Sequence, residues 1–289
     1  MSAAFALPAA TIEAWSIDSA ELIADTPSSL VFRVRRLCST NIVKSLKPAG
    51  LGELPGLDFL EWRQGLGAVR LIDRIGVSCL LEDGGTQTLR QHLDLRGDTE
   101  ATDIALRVLN KLHAPSDRTA PAALVPLERH FSSLFCLAET ARSSDLEGLP
   151  GWAADTARGL LSAQQDQRPL HGDFHHENIV QDASGEWRAI DPQGLYGDPV
   201  YDVANLFGNP LGYKTLILDP ARIIRLAETF SSHFGCRPQK VLSYGAIHAM
   251  LSAAWMLEDG YALPGDTRLT ERLAFARIAK SLLVEQFVD

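Results

Sequence analysis

An α+β chain in two lobes, a small β-rich one followed by a larger helical one, is what this sequence predicts, and three observations carry the prediction. Apolar and polar residues alternate with period two through 30–35, 41–46 and 69–81. The run Glu82-Asp83-Gly84-Gly85 breaks that pattern, and behind it apolar residues recur almost everywhere at helical spacing. One short β-hairpin interrupts the helical part: Ile179-Val180-Gln181 and 186–190 read as strands around the turn Asp182-Ala183-Ser184-Gly185. Residues 1–84 are therefore expected as an N-terminal lobe, a β-sheet with one helix, and 85–289 as a helical C-terminal lobe, with a cleft where they meet.

Taken in order, Thr26-Pro27-Ser28-Ser29 marks a turn, after which Leu30, Phe32 and Val34 alternate with Val31, Arg33 and Arg35. The strand over 41–46 places Lys44 on the face of Ile42 and Leu46, an odd place for a lysine. Two runs, 69–75 and 77–81, make a hairpin about Gly76, and Pro55 stands near the start of the helix between them and the earlier strands. Downstream, Ile104, Val108, Leu109 and Leu112 share one helical face that ends at His113-Ala114-Pro115. Residues 124–138 and 151–164 read as further helices, followed by 201–207, 221–234 and a buried helix over 241–257. In the last helix Phe275, Ile278, Ala279, Leu282 and Leu283 form the inward stripe.

Composition excludes several classes. With 289 residues and 46% hydrophobic content the chain supports one large domain or two lobes with their own cores. Its longest apolar stretch, 246–257, contains His248 and stops at Glu258-Asp259, well short of the roughly 20 residues that span a bilayer. The first ten residues have no basic leader and too short an apolar run for a signal peptide, so a cytoplasmic protein with no membrane partner is expected. Cys38, Cys79, Cys136 and Cys236 form no Cys-x-x-Cys pair and read as reduced thiols. A net charge of -9 argues against nucleic acid as a partner, and the basic cluster Arg33, Arg35 and Arg36 reads as a solvated strand face. An acidic surface suits a cationic small molecule.

The chemistry is concentrated in Leu170-His171-Gly172-Asp173-Phe174-His175-His176-Glu177-Asn178 and in Ala189-Ile190-Asp191-Pro192-Gln193-Gly194. An Asp, an Asn five residues on, and a second Asp eighteen residues after the first follow the order of phosphoryl-transfer sites. The hairpin returns the chain to its start, so Asn178 at its entry and Asp191 at its exit can face one Mg2+, whose hard character suits oxygen ligands. Asp173 then stands where a substrate hydroxyl meets the nucleotide, and Lys44 reaches the phosphates of ATP. An acid at the helix that follows should hold Lys44; Glu53 and Glu61 are the candidates. His171 is expected to support the loop through hydrogen bonds, and His175 and His176 to serve as scaffold. A zinc-hydrolase reading of the same crowded run competes, but the order of Asp and His is exchanged and the other histidines lack suitable neighbourhoods.

With these residues in hand, the chain resembles the aminoglycoside phosphotransferase family, nearest its streptomycin 6-kinase and hydroxyurea phosphotransferase branch. The likeness lies in 170–180, in 189–207 (AIDPQGLYGDPVYDVANLF) and in Trp255-Met256-Leu257-Glu258-Asp259-Gly260, with Gly65-Leu66-Gly67-Ala68-Val69-Arg70-Leu71 as its N-lobe anchor. It implies a protein-kinase-like bilobal fold, Asp173 as catalytic base, Asn178 and Asp191 as magnesium ligands, Lys44 on ATP, and Asp202 bracing the catalytic loop from below. Glu258 and Asp259 would lie toward the acceptor pocket. Two residues depart from the family pattern: Glu177 replaces a small residue beside Asn178, and Gln193 replaces a lysine. The 26–29 turn also lacks glycines, so Ser28 and Ser29 are expected to cover the nucleotide phosphates. No activation segment follows Asp191, which favours a small-molecule kinase over a protein kinase. The sequence leaves open the acceptor, the choice of ATP over GTP, the oligomeric state, and resistance against metabolism as the role. The expectation is thus an ATP- and Mg2+-dependent kinase of a hydroxyl-bearing small molecule, streptomycin-like by resemblance, against a nucleotide-binding pseudo-enzyme on the same fold or a kinase of choline, a sugar amine or hydroxyurea.

Overall fold

The protein, described by a computed structural model over residues 7–141, 145–260 and 267–285, begins with a five-stranded antiparallel sheet in the order β1-β2-β3-β5-β4. Its strands are β1 (Ile17–Asp25), β2 (Ser29–Arg36), β3 (Ser39–Leu46), β4 (Leu71–Ile75) and β5 (Ser78–Glu82). Period-two alternation gives the sheet two different faces. Phe32, Val34, Val43 and Leu80 bury one face together with Leu7 and Trp15, the residues flanking helix α1 (Ala9–Ala14). Val31, Arg33, Ile42, Lys44 and Leu81 occupy the other, which lines a cleft. Strand β1 is not legible as alternation, because it is an edge strand on which only Ile17 is buried.

A 3₁₀ turn (Pro48–Glu53) leads into α2 (Leu54–Arg63), with Pro55 in its first turn. Two glycines let the start of α2 lie against the chain just after Asp191. A Cβ on Gly56 would come within 1.8 Å of the Pro192 carbonyl oxygen, and one on Gly194 within 2.2 Å of the Pro55 oxygen. That close approach brings Glu53 to the same end of the cleft as Asp191.

Beyond β5 the chain enters β6 (Gln87–Thr88) and then α3 (Leu89–Arg96), started by a capping box between Thr88 and Gln91. Helix α4 (Asp98–Leu112) buries the expected Ile104, Val108, Leu109 and Leu112. The single helix expected over 124–138 is instead a short strand and two helices, β7 (Val125–Pro126), α5 (Leu127–His130) and α6 (Ser132–Thr140). Pro126 accounts for the difference at its start, since the residue before a proline is driven to extended backbone; Val125 accordingly pairs in parallel with Leu195. Helix α7 (Leu149–Ser162) precedes β8 (Arg168–Leu170), the hairpin β9 (Ile179–Gln181) and β10 (Trp187–Ala189), and β11 (Leu195–Gly197). These short strands form two small sheets, β10-β9-β6 and β7-β11-β8.

A 3₁₀ turn (Pro199–Val203), α8 (Ala204–Phe207), α9 (Lys214–Ile217), α10 (Pro220–Phe234), α11 (Pro238–Glu258) and α12 (Thr267–Glu285) complete the fold. Helix α11 packs against α6, α7, α8, α10 and α12, which is why it is apolar on every side along most of its length. Among the described residues, no helix is long and apolar enough to cross a membrane.

Candidate active site

The catalytic hairpin forms where the sequence places it. Trp187, Arg188 and Ala189 pair with Gln181, Val180 and Ile179. Asp182 closes the turn, its Oδ1 accepting from the Ser184 amide at 2.8 Å and the Glu186 amide at 3.0 Å, with Gly185 at φ 87°. The Ile190 amide donates to the Asn178 carbonyl at 2.9 Å, so the entry and exit of the hairpin lie side by side. The next residue, Asp191, has φ 59°, a left-handed conformation that Asp tolerates better than most residues, and half of its side chain (53%) is exposed.

Lys44 reaches this point from the sheet. Buried to 8% exposure, it pairs with Asp191 and lies 2.6 Å from Glu53 Oε2. Burial pulls its pKa down, but the two carboxylates outweigh that and raise it, so the lysine is charged. Of the two candidate acids it is Glu53, not Glu61, that stands against Lys44. The cleft, about 370 Å³, is lined by Ser28, Ser29, Lys44, Val69, Gly84 and Asp191 among others. Ser29, however, is spent within its own turn, its amide donating to Thr26 Oγ1 at 2.9 Å while its carbonyl accepts the Thr26 amide. Its amide is therefore committed to the turn, in contrast to the expectation of an amide offered to phosphate. Arg33 also departs from expectation. Far from a solvated strand face, it lines the cleft and donates to Asp83 Oδ2 at 3.0 Å.

Asp173 is held on both oxygens. Asn178 Nδ2 donates to Oδ2 at 2.9 Å and to the Asp173 carbonyl at 3.0 Å, and Asn205 Nδ2 donates to Oδ1 at 2.8 Å. His175 Nε2 stands 3.5 Å from Oδ2, and its Nδ1 lies 3.0 Å from Glu177 Oε2. Burial would raise the Asp173 carboxyl; His175 outweighs it and holds it well below the usual carboxylate range. Burial likewise works against the His175 imidazolium, but Asp173 and Glu177 push its pKa up to about 9. His175 thus contacts the central carboxylate directly, more than the scaffold role expected of it. Glu177, the departure beside Asn178, joins this pair to Arg90 at 3.2 Å.

The remaining histidines of the run are structural. His171 is buried, its Nε2 bonded to the Ile190 carbonyl at 2.9 Å and its Nδ1 accepting the Asp173 amide at 3.2 Å. Burial drives His176 down to about 3. With the ring nitrogens of His171 and His175 committed, the hydrolase reading loses its ligands; among the described residues no three His, Cys, Asp or Glu side chains are grouped to hold a metal ion. Asp202, 1% exposed, accepts the amides of His171 at 3.2 Å and Gly172 at 2.7 Å and pairs with His113 at 2.7 Å, bracing the loop from below. An oxygen-only pair remains for a hard cation: the Asp191 carboxylate, and Asn178 Oδ1, turned away from Asp173 because the amide nitrogen faces it. This donor set fits Mg2+.

Glu258 and Asp259 end α11 at the surface, where Ser133 donates to Glu258 Oε2 at 2.8 Å. One turn earlier, the Trp255 ring packs edge-on against His130 and His248, at 5.4 and 6.2 Å between centroids. Both imidazoles bond the Tyr201 hydroxyl, at 2.8 and 3.0 Å. Of Asn205, Tyr201, His130 and His248, the sequence marks Tyr201 and Asn205 only as members of the 189–207 run, and the two histidines not as site residues.

A family model described as aminoglycoside/hydroxyurea antibiotic resistance kinase matches residues 14–260. The chain is 34% identical to the streptomycin 3''-kinase of Klebsiella pneumoniae over 255 residues, 86% of this chain and 92% of that one. It is 27% identical to the streptomycin 6-kinase of Streptomyces griseus, over 93% of this chain and 89% of the other. In shape it is similar to an aminoglycoside phosphotransferase, APH(4)-Ia, in ternary complex with ADP and hygromycin B, with a TM-score of 0.64 at 14% identity over 94% of this chain and 97% of that one. The choline kinase LicA from Streptococcus pneumoniae gives a TM-score of 0.61 at 17% identity, over 95% and 98%. Those two likenesses establish the protein-kinase-like fold, and the sequence match over most of the chain carries the rest: this chain belongs to the aminoglycoside/hydroxyurea antibiotic resistance kinase family.

Proposed function

We propose that this protein is a cytosolic kinase that transfers the γ-phosphoryl group of Mg-ATP to a hydroxyl of a streptomycin-like aminoglycoside. The observation that carries the reading is the arrangement around Asn178. Its amide nitrogen fixes Asp173, its backbone carbonyl accepts the Ile190 amide next to Asp191, and Asp191 in turn pairs with Lys44. Base, metal oxygens and phosphate cation are thereby parts of one contiguous network.

In this reading ATP enters the cleft between the sheet and the hairpin, with Gly84-Gly85 as the boundary between lobes 1–84 and 85–289. A Cβ on Gly85 would lie 2.0 Å from the Gln181 oxygen, which supports that point as the one where the lobes meet closely. Lys44 exchanges its pairing with Asp191 for the nucleotide phosphates while Glu53 keeps it in place, and the Ser28 hydroxyl covers the phosphates from above. Magnesium, held by Asn178 and Asp191, would supply charge neutralisation to those phosphates. Asp173 orients the acceptor hydroxyl and takes its proton as the oxygen bonds to the γ-phosphorus and the bond to the bridging oxygen breaks, releasing ADP. Glu258 and Asp259 offer carboxylates to a cationic acceptor, consistent with the streptomycin kinases the chain is similar to.

The test is ADP release and phosphorylated product, by mass spectrometry, on incubation with Mg-ATP and streptomycin, with hygromycin B, hydroxyurea and choline in parallel. The position of transfer is read from the product by NMR, since the relatives are named for both the 3''- and 6-positions. Phosphorylated streptomycin supports the reading. Product with choline or hydroxyurea alone would move the acceptor, and bound Mg-ATP with no product on any acceptor would favour the pseudo-enzyme.

A further inference from the structure

Asp173 is fixed by two amides that come from different parts of the chain. Asn178 belongs to the catalytic loop itself, whereas Asn205 lies 32 residues beyond Asp173, in the first turn of α8, and is 7% exposed. The orientation of the Asn205 amide is set independently of Asp173. Asn209 Nδ2 donates to Asn205 Oδ1 at 2.6 Å and to its carbonyl at 2.8 Å, so the nitrogen must face the carboxylate. The segment that carries both asparagines is clamped in turn by two buried arginines. Arg222, from α10 and paired with Asp98 at 2.9 Å, donates to the carbonyls of Leu206, Phe207 and Asn209 at 3.4, 3.1 and 3.1 Å. Arg272, from α12, donates to the Gly208 carbonyl at 2.7 Å.

We propose that Asn205 is a positioning residue for phosphoryl transfer, holding Oδ1 of Asp173 so that a carboxylate lone pair faces the acceptor hydroxyl. The inference rests on the reading of Asp173 as the base. An ionised carboxylate has about four lone-pair directions; with Asn178 and His175 at Oδ2, and Asn205 at Oδ1, the plane is fixed and a direction stays free on Oδ1. A neutral donor suits this purpose, because it orients Oδ1 without adding positive charge to that already placed at Oδ2 by His175. Asn178 shares its amide with the cation-binding oxygen, so its geometry answers to the nucleotide. Asn205 is tied to the helical core and keeps Asp173 aligned before and after nucleotide exchange.

Asn205→Asp tests this, since it is isosteric, keeps the acceptor for Asn209, and replaces the donor by a carboxylate facing Asp173. The expected result is a fall of about 10²-fold in kcat for aminoglycoside phosphorylation, the size of effect that goes with a misplaced reacting group. The KM for ATP and the rise in Tm with Mg-ATP should stay within about twofold, as for an interaction used only in the transition state. Asn205→Ala removes the donor without adding charge and should lose about tenfold or more in kcat with the same unchanged ATP KM. A folded variant that keeps kcat, or one whose loss lies in ATP KM alone, overturns the proposal; so does failure of both variants to fold, which would make Asn205 a residue of the core only. Asp173→Asn, measured beside them, separates the two levels. If it is active the reading of the base fails, and if it is inactive while Asn205→Asp is active only this inference fails.

Discussion

In the proposed reading the active site has a nucleotide side and an acceptor side, and the two are built from different materials. On the nucleotide side the groups are charged and partly exposed: Lys44 pairs with Asp191 and Glu53, whose side chains are 53% and 31% accessible, and Arg33 pairs with Asp83 at the rim. On the acceptor side two neutral amides hold Asp173 beside the charged His175, and behind them His130, Tyr201 and His248 share one hydroxyl. Burial keeps both imidazoles neutral, pushing His130 down to about 4 and His248 to about 3. Accessible ion pairs are worth only about 0–1 kcal/mol and are readily exchanged, whereas a buried neutral network loses the full desolvation of each orphaned group when it is broken. Exposed ion pairs therefore stand where ligands must come and go, and buried dipoles, set around the Asp173–His175 pair, where a base must keep its place.

The comparison breaks most sharply at Asp173 itself. Asp173→Asn should lower turnover by about 10² to 10⁴ while leaving Mg-ATP affinity nearly intact, because the nucleotide side does not depend on it. Single-turnover phosphorylation against nucleotide binding by calorimetry decides the matter; a joint loss of both would mean that the two sides are not separable. Next in size is Arg222→Met. Arg222 is 1% exposed, and its removal orphans three carbonyls and takes one of two arginines from Asp98, so a loss of about 3–5 kcal/mol is expected by analogy with broken buried ion pairs. Urea unfolding measures it. A loss below about 1 kcal/mol, the range of exposed pairs, would show that the neutral side is not held from behind as described. On the charged side, Lys44→Met should raise the KM for ATP about 10- to 100-fold, the worth of a hydrogen bond to a charged group. It should cost little stability, since Glu53 and Asp191 can be solvated. A large fall in Tm with ATP KM unchanged would reverse that assignment.

The same contrast explains what could be read from the sequence. Lys44, Asp173, Asn178 and Asp191 announce themselves because charged or amide residues at an odd strand position, or at fixed spacing around a hairpin, have few other uses. The hairpin itself was legible residue by residue, since Asp182 and Gly185 are the turn chemistry it needs. Asn205 was not, because one buried asparagine in a helix is common and only the fold, through the clamped 206–209 segment, points its nitrogen at Asp173. Arg33 reads as solvated for a related reason: a charge on a strand carries no sign in the sequence that this face of the sheet closes a cleft. Pro126 carries the division of 124–138 in the sequence, since the residue before a proline is driven to extended backbone. Strand β1 carried no alternation to find, being exposed on both faces.

The smallest predicted effect is the one that probes the neutral side directly. His130 and His248 both have folded-state pKa values below the ordinary histidine value, about 4 and about 3 against 6.5. The unfolded chain therefore takes up protons below pH 6.5 that the folded chain refuses, so the stability these histidines contribute is complete above that pH and is lost as pH falls toward 4. Each can account for at most about 1.4 kcal/mol per pH unit over that window. His248 also faces Arg272, Asp173 and His175, so the parent's slope is a sum over several groups. A difference between variants isolates one of them. His248→Gln keeps a hydrogen-bond partner for the Tyr201 hydroxyl and removes the titration. Its stability, from urea unfolding at pH 7.5, 6.5, 5.5 and 4.5 (values chosen about the ordinary histidine pKa of roughly 6.5), should depend less steeply on pH below 6.5 than the parent's, and equally above it. If the two curves run parallel throughout, His248 takes up its proton in the folded protein as readily as in the unfolded chain, and burial does not hold it neutral.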